Sequence, residues 1–124
     1  MDASIIGEIF LDNCYVRDLV LPEHPIIVDI GGYIGDFALY AAKRLNARKV
    51  VVCEPSAENL AILKRNVSNN HYEDRIEVVN KAVTDGSDVM MDVTASCRGQ
   101  ARVSAYSRGN VPRQPIAGIS LANL

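Results

Sequence analysis

The stretch IIVDIGGYIG, residues 26–35, decides the fold of this chain. It begins with Ile26–Ile30, an apolar run rich in β-branched residues, which is typical of a strand buried on both faces of a parallel sheet. Gly31, Gly32 and Gly35 follow within five positions. Because glycine is required where φ is positive or where a Cβ would collide, the turn predicts a close approach of a nucleotide-like ligand to the backbone. A tight strand-to-helix turn without a ligand is the alternative.

Alternating strands and helices continue from this turn. Helical spacing predicts an amphipathic helix over 36–46, and the run KVVVC at 49–53 predicts a second buried strand. Ser56 is a suitable N-cap for a second helix, and residues 75–80 follow it as a third strand. Short connections of this kind require right-handed crossovers. The sequence therefore predicts an α/β fold with a Rossmann-like doubly wound parallel sheet in the order 3-2-1.

The C-terminal third differs in pattern. Residues 88–94 and 101–107 alternate loosely and predict an antiparallel β-hairpin. Residues 110–115 hold two prolines and predict a loop, and 116–124 predict a short strand that turns into the start of a helix.

A length of 124 residues allows one domain or part of one. We expect a single partial domain in which 1–25 is a lead-in element. Residues 26–85 form the cofactor-binding βαβαβ unit, and 86–124 form the hairpin and tail.

Composition excludes several classes of function. A net charge of -2 is unsuited to a broad nucleic-acid-binding surface, and no apolar run is long enough to span a membrane. The cysteines at 14, 53 and 97 are widely spaced, which predicts reduced thiols and no metal site. We therefore expect a soluble, cytoplasmic protein with no nucleic-acid or membrane partner.

Spacing separates two ligand classes. A dinucleotide fingerprint GxGxxG ending on Gly35 would need glycine at position 30, which is Ile30. The pattern present is Asp29-x-Gly31-x-x-x-Gly35, and Glu54 follows nineteen positions after Gly35, at the end of the second strand. This pattern resembles motif I and the following acidic residue of class I S-adenosylmethionine-dependent methyltransferases.

The chemistry of the two acids suits that cofactor. A carboxylate at the position of Glu54 can accept hydrogen bonds from both ribose hydroxyls. Asp29 is placed to interact, directly or through water, with the ammonium of the methionine part. The alternative for Glu54 is an exposed acid favoured by the dipole at the start of a helix.

Residues 26–85 more specifically resemble the FkbM family of methyltransferases. The matching details are the Glu-Pro pair, the Leu-x-x-Asn helix end and the Asn-Lys-Ala-Val after the third strand. The resemblance implies that Gly31–Gly35 wraps the methionine end of the cofactor and that Glu54 holds the ribose. It also implies that Pro55 packs near the adenine and that the backbone around Ala82 lies on the other side of the adenine. Gly32 stands where Ala is common, and Tyr33 replaces a frequent Asn.

The resemblance implies a methyltransferase that uses S-adenosylmethionine, with O-methylation of a small-molecule or sugar-like acceptor; no catalytic residue is assigned. In the family a fourth strand lies beside the first, and this chain stops before it. We therefore expect either a fragment of a longer protein or a homo-oligomer formed through the exposed sheet edge. The alternatives are a truncated, non-catalytic S-adenosylmethionine-binding or assembly module and, less favoured by Ile30, an NAD-dependent oxidoreductase half-domain.

Overall fold

The computed structural model describes residues 16, 19–92, 102–103 and 112–124. Its first half alternates strands and helices in the predicted order. The elements are β1 (Ile26–Ile30), α1 (Asp36–Lys43), β2 (Lys49–Cys53), α2 (Ala57–Asn69) and β3 (Ile76–Val79).

These three strands form one parallel sheet in the order β1-β2-β3. The predicted order 3-2-1 is therefore confirmed. Ile30 pairs with Cys53, and Cys53 pairs with Val79, so the carboxyl ends of all three strands meet at one edge of the sheet. The loops that follow these strands are brought together at that edge, where ligands bind in open α/β sheets.

The core lies between the two helices and one face of the sheet. Ala38 and Ala41 of α1 and Leu63 of α2 are fully buried against Val50 and Val52 of β2. The small alanine side chains allow α1 to lie close to the strands, while Leu63 fills the space beneath α2. This apolar layer fixes both helices relative to the carboxyl ends of the strands.

The other face of β1 is open, which corrects the prediction of a strand buried on both faces. Ile26, Val28 and Ile30 are 56%, 42% and 57% exposed. β1 is an edge strand of this sheet, and both helices pack on the face opposite these three side chains. An apolar run alone does not distinguish a strand covered on two faces from one covered on a single face.

The two helices begin and end for local reasons. The Oγ of Ser56 accepts a hydrogen bond from the backbone N–H of Asn59 at 3.4 Å, so Ser56 caps α2 as predicted. α1 ends at Lys43, three residues before the predicted end at 46. Asn46 has a left-handed φ of 50°, which a continuing right-handed helix does not allow.

The second half holds short strands in two further sheets. They are β4 (Ala82–Val83), β5 (Val89–Asp92), β6 (Arg102–Val103), β7 (Arg113–Ile116) and β8 (Gly118–Ile119), with a 3-10 turn at Leu121–Asn123. β5 pairs antiparallel with β6, which confirms the hairpin, and β4 pairs in parallel with β8.

The prediction of a loop at 110–115 is wrong for residues 113–115. These residues belong to β7, which pairs antiparallel with β5. Pro115 is tolerated here because β7 is an edge strand among the described strands of this sheet, which is where proline is found in sheets. The Nε of Arg113 also lies 2.8 Å from Oδ1 of Asp92 on β5, which fixes the pairing.

Cys53 is a buried free cysteine, whereas the cysteines at 14 and 97 lie outside the described residues. Within the parts of the chain that the structure describes, the helices are too short and too polar to cross a membrane.

Truncating Leu63 should destabilise this fold strongly. We expect Leu63→Ala to lower the free energy of unfolding by about 2–5 kcal/mol, because a fully buried leucine leaves a cavity. Urea denaturation of the 124-residue chain measures the loss. Ile62→Ala on the exposed side of the same helix is the control, with an expected loss below about 1 kcal/mol. Equal losses in the two variants would contradict this packing.

Candidate functional site

A glycine loop, Gly31–Gly35, joins β1 to α1 at the carboxyl edge of the sheet. The backbone N–H groups of Gly31 and Gly32 both donate to the carbonyl of Cys53, at 2.8 and 3.2 Å. The N–H of Gly35 donates to the carbonyl of Gly32 at 2.7 Å. These bonds attach the loop to the end of β2 and close it into a tight turn.

The three glycines are needed for different reasons. Gly31 has a φ of 82°, and a Cβ there would meet nothing within 4 Å, so its conformation and not its surroundings favours glycine. A Cβ on Gly32 would overlap Cγ1 of Val52. Gly35 has a φ of 91°, and its Cβ would lie 3.2 Å from Cγ of Leu63. Gly31 is therefore the glycine of this loop that leaves open space beside the backbone.

Tyr33 connects the glycine loop to Glu54. Its φ of 49° lies in the left-handed region, which asparagine tolerates better than tyrosine. In this conformation the backbone N–H of Tyr33 donates to Oε2 of Glu54 at 2.9 Å. A conformation of this kind persists where surrounding contacts impose it, and such positions are common at binding sites.

Glu54 is only 4% exposed, which excludes the alternative of an exposed acid at a helix start. Its second oxygen, Oε1, accepts from the backbone N–H of Ser56 at 2.8 Å and from Nδ2 of Asn59 at 3.3 Å. Burying a carboxylate is costly unless donors replace its water. The three donors offset that cost, and together they hold the loop, the end of β2 and the start of α2 around one charge.

Two further asparagines position these segments. Nδ2 of Asn66, on α2, donates to the carbonyl of Ile34 at 2.9 Å. Nδ2 of Asn80, just after β3, donates to the carbonyls of Glu54 at 2.8 Å and Pro55 at 3.2 Å. Sequence reasoning matched both asparagines to a family pattern but assigned neither a role. The pattern was the available signal, because partners 25 to 32 positions away cannot be found from local spacing.

Asp29 lies next to this network without joining it. It is on β1, where it pairs with Val52, and a Cβ on Gly32 would lie 3.5 Å from its Oδ2. That oxygen is buried and has no hydrogen-bond partner among the described residues. Burial, and to a lesser extent the negative charge of Glu54, raise the pKa of Asp29 to about 6.

The remaining predicted site residues lie around the same edge. Pro55 is partly buried and follows Glu54 directly. Ala82 is buried at the start of β4, where its N–H donates to the carbonyl of Ala117 at 3.0 Å. Across 19–92 and 112–124, no group of three or more His, Cys, Asp or Glu side chains is arranged to hold a metal ion.

The chain is similar in sequence to two curated proteins of different size. It is 38% identical over 84 residues to the AMB antimetabolite synthetase AmbE of Pseudomonas aeruginosa, a match that covers 65% of this chain and 4% of the relative. It is 40% identical over 67 residues to the methyltransferase sdnD of Sordaria araneosa, covering 53% of this chain and 25% of the relative. The chain thus spans about a quarter or less of these relatives. No family model matches the sequence.

Two solved structures are similar to part of this chain. The methyltransferase FkbM of Methylobacillus flagellatus is 23% identical, with a TM-score of 0.48 over 64% of this chain and 22% of that one. TYW2 of Pyrococcus horikoshii, solved with MeSAdo, is 28% identical, with a TM-score of 0.47 over 51% of this chain and 24% of that one.

The sequence similarity to curated methyltransferases agrees with the parallel sheet and its glycine loop. This similarity covers about half of the chain.

Substituting Gly32 should test the packing beneath the loop. We expect Gly32→Ala to cost about 1–3 kcal/mol of unfolding free energy, because the added methyl overlaps Val52. In a double-mutant cycle, Val52→Ala should recover about 0.5 kcal/mol or more of that cost.

Gly31→Ala is the matched control for this cycle. Its methyl enters open space, so its cost arises from backbone conformation alone and should add to that of Val52→Ala without coupling. Two results would contradict this packing of the loop on Val52. One is coupling between Val52→Ala and Gly31→Ala, and the other is the absence of coupling between Val52→Ala and Gly32→Ala.

Proposed function

We propose that this chain belongs to a cytoplasmic methyltransferase that transfers a methyl group from S-adenosylmethionine to an oxygen of a small-molecule or sugar-like acceptor. The observation that carries the proposal is the buried Glu54 carboxylate, which is hydrogen-bonded to the glycine loop at the carboxyl end of β2. The likeness to sdnD supports methyl transfer. The preference for an oxygen acceptor rests on the resemblance of residues 26–85 to the FkbM family.

The residues present fit the proposed cofactor. A carboxylate has about four lone-pair sites, and Glu54 uses three for protein donors, so it can still accept from a ribose hydroxyl. The open space beside Gly31 admits the methionine end against the backbone. Asp29 offers its unpartnered buried oxygen to the ammonium of the cofactor. In the same scheme Pro55 and the backbone around Ala82 lie on either side of the adenine.

The role of this part of the domain is to bind and orient the donor. S-adenosylmethionine supplies an activated methyl group on a sulfonium, which is a reactive donor without help from a metal. A rigid loop then contributes chiefly by holding the donor in line with its acceptor. Besides the backbone hydrogen bonds to Cys53, the loop is held by the contacts of Tyr33 with Glu54 and of Ile34 with Asn66.

Calorimetric titration with S-adenosylhomocysteine tests the proposal. We expect the 124-residue chain to bind this ligand and not NADH, and Glu54→Ala to weaken binding by at least about tenfold, the effect of losing one charge-assisted hydrogen bond. Glu58→Ala is the matched control, because Glu58 is an exposed acid in the first turn of the same helix.

Because Glu54 also holds the loop, Glu54→Gln is measured alongside, with thermal unfolding of each variant. Gln keeps the size of the side chain but loses its charge, so we expect intermediate binding by a folded chain. Unchanged affinity in folded Glu54→Ala, or tighter binding of NADH than of S-adenosylhomocysteine, would overturn the proposal.

We also propose that the exposed edge at β1 supports self-association of this chain. The edge strand β1 exposes three apolar side chains, those of Ile26, Val28 and Ile30. An exposed apolar edge strand favours pairing with another chain. Sedimentation should detect a species larger than a monomer. Val28→Lys should shift it toward the monomer, whereas Ile62→Lys, at an exposed position on α2, should not. A monomer at all concentrations would contradict this proposal.

A further inference from the structure

The donors around Glu54 divide its two oxygens unequally. Oε1 accepts two hydrogen bonds, from the backbone N–H of Ser56 at 2.8 Å and from Nδ2 of Asn59 at 3.3 Å. Oε2 accepts one, from the backbone N–H of Tyr33 at 2.9 Å. Because each carboxylate oxygen has two lone pairs, the protein fills both of them on Oε1 and leaves one on Oε2.

This division matters for a ligand that carries a ribose. The two neighbouring ribose hydroxyls are both donors, and a carboxylate with both oxygens available can accept one hydroxyl on each oxygen. The sequence leads to that expectation for Glu54. In the folded chain one hydroxyl can reach the free lone pair on Oε2, whereas a second hydroxyl meets an oxygen whose lone pairs are already used.

Asn59 differs from the other two donors, because it donates through its side chain. Tyr33 and Ser56 donate through their backbone N–H groups, so a change of side chain does not remove those bonds. The backbone N–H of Asn59 donates to Oγ of Ser56 at 3.4 Å, which holds Asn59 in the first turn of α2 and its amide beside Glu54. The amide of Asn59 therefore decides whether Oε1 keeps a free lone pair.

We propose that Asn59 is a specificity-determining residue that restricts Glu54 to one ribose hydroxyl, so that the chain binds a ligand in which the other hydroxyl is missing. Asn59 acts by occupying an acceptor on Glu54 and takes no part in methyl transfer. The proposal rests on the proposed function, since it takes an adenosyl ligand whose ribose lies at Glu54.

Calorimetry with S-adenosylhomocysteine and its 2′-deoxy and 3′-deoxy analogues tests this restriction. We expect one analogue to bind the 124-residue chain within about twofold of the parent ligand, because its missing hydroxyl has no acceptor on Glu54. The other analogue should bind at least about tenfold more weakly, because it lacks the hydroxyl that Oε2 accepts. A loss of this size with both analogues would overturn the inference.

Asn59→Ala frees a lone pair on Oε1 and keeps the backbone N–H that donates to Ser56. In this variant the analogue that the original chain tolerates should bind about fivefold or more weakly than S-adenosylhomocysteine, because the parent ligand now uses both hydroxyls. The ratio of the two affinities is the readout. A general disturbance of the site weakens both ligands and leaves that ratio unchanged, and an unchanged ratio would overturn the role of Asn59.

Asn69→Ala is the matched control, because Asn69 is an exposed asparagine at the far end of the same helix. It should leave all the affinity ratios at their original values. Thermal unfolding shows whether each variant is folded, and the comparison of the three ligands in the original chain tests the restriction without any variant.

The outcomes separate the two proposals. Failure of S-adenosylhomocysteine and both analogues to bind overturns the proposed function, and the restriction with it. Weak binding of both analogues beside tight binding of the parent ligand overturns only the restriction, because Glu54 then holds both hydroxyls. Equal binding of all three ligands overturns the restriction as well, since Glu54 then accepts neither hydroxyl.

Discussion

The hydrogen bonds that converge on the carboxylate of Glu54 set the arrangement of the candidate site. Tyr33 reaches this carboxylate from the glycine loop, Ser56 from the turn after β2, and Asn59 from the first turn of α2. Because the side chain is almost fully buried, these donors replace the water that its oxygens would otherwise bind. One acid thereby fixes three chain segments that converge at the carboxyl edge of the sheet.

The glycine loop is shaped largely by the protein itself. Val52 and Leu63 occupy the space beside Gly32 and Gly35, so a side chain at either position would crowd the core. Gly31 alone of the three leaves open space beside the backbone. The turn therefore combines a close fit to the core at two glycines with open space beside the backbone at the third.

Local patterns in the sequence were sufficient for the first half of the fold. Apolar runs and helical spacing located β1, α1, β2, α2 and β3, because each of these elements carries an apolar run or an apolar stripe in the sequence. Those patterns could not show that Ile26, Val28 and Ile30 face away from the helices, since exposure depends on what covers the sheet. The same patterns predicted a loop around Pro115, because proline argues against a strand. The strand forms there because β7 pairs with β5, which is distant in the sequence.

The role of the candidate site stays a prediction, and only part of its geometry could be expected from the sequence. Asp29, the glycines and Glu54 stand out from their spacing and from the ends of the strands. The roles of Asn66 and Asn80 depend on carbonyls far away in the chain, which only the folded arrangement brings within reach. The unpartnered oxygen of Asp29 is likewise a property of packing, because a strand-end aspartate in a sequence gives no sign of its burial.

The most direct test of a ligand site organised by Glu54 is backbone amide NMR during titration with S-adenosylhomocysteine. We expect the largest chemical-shift changes at the amides of Gly31, Tyr33 and Ser56, which lie in the loop or donate to Glu54. Asn69, at the far end of α2, should not change. Saturation by the ligand without any change at Tyr33 and Ser56 would contradict the account.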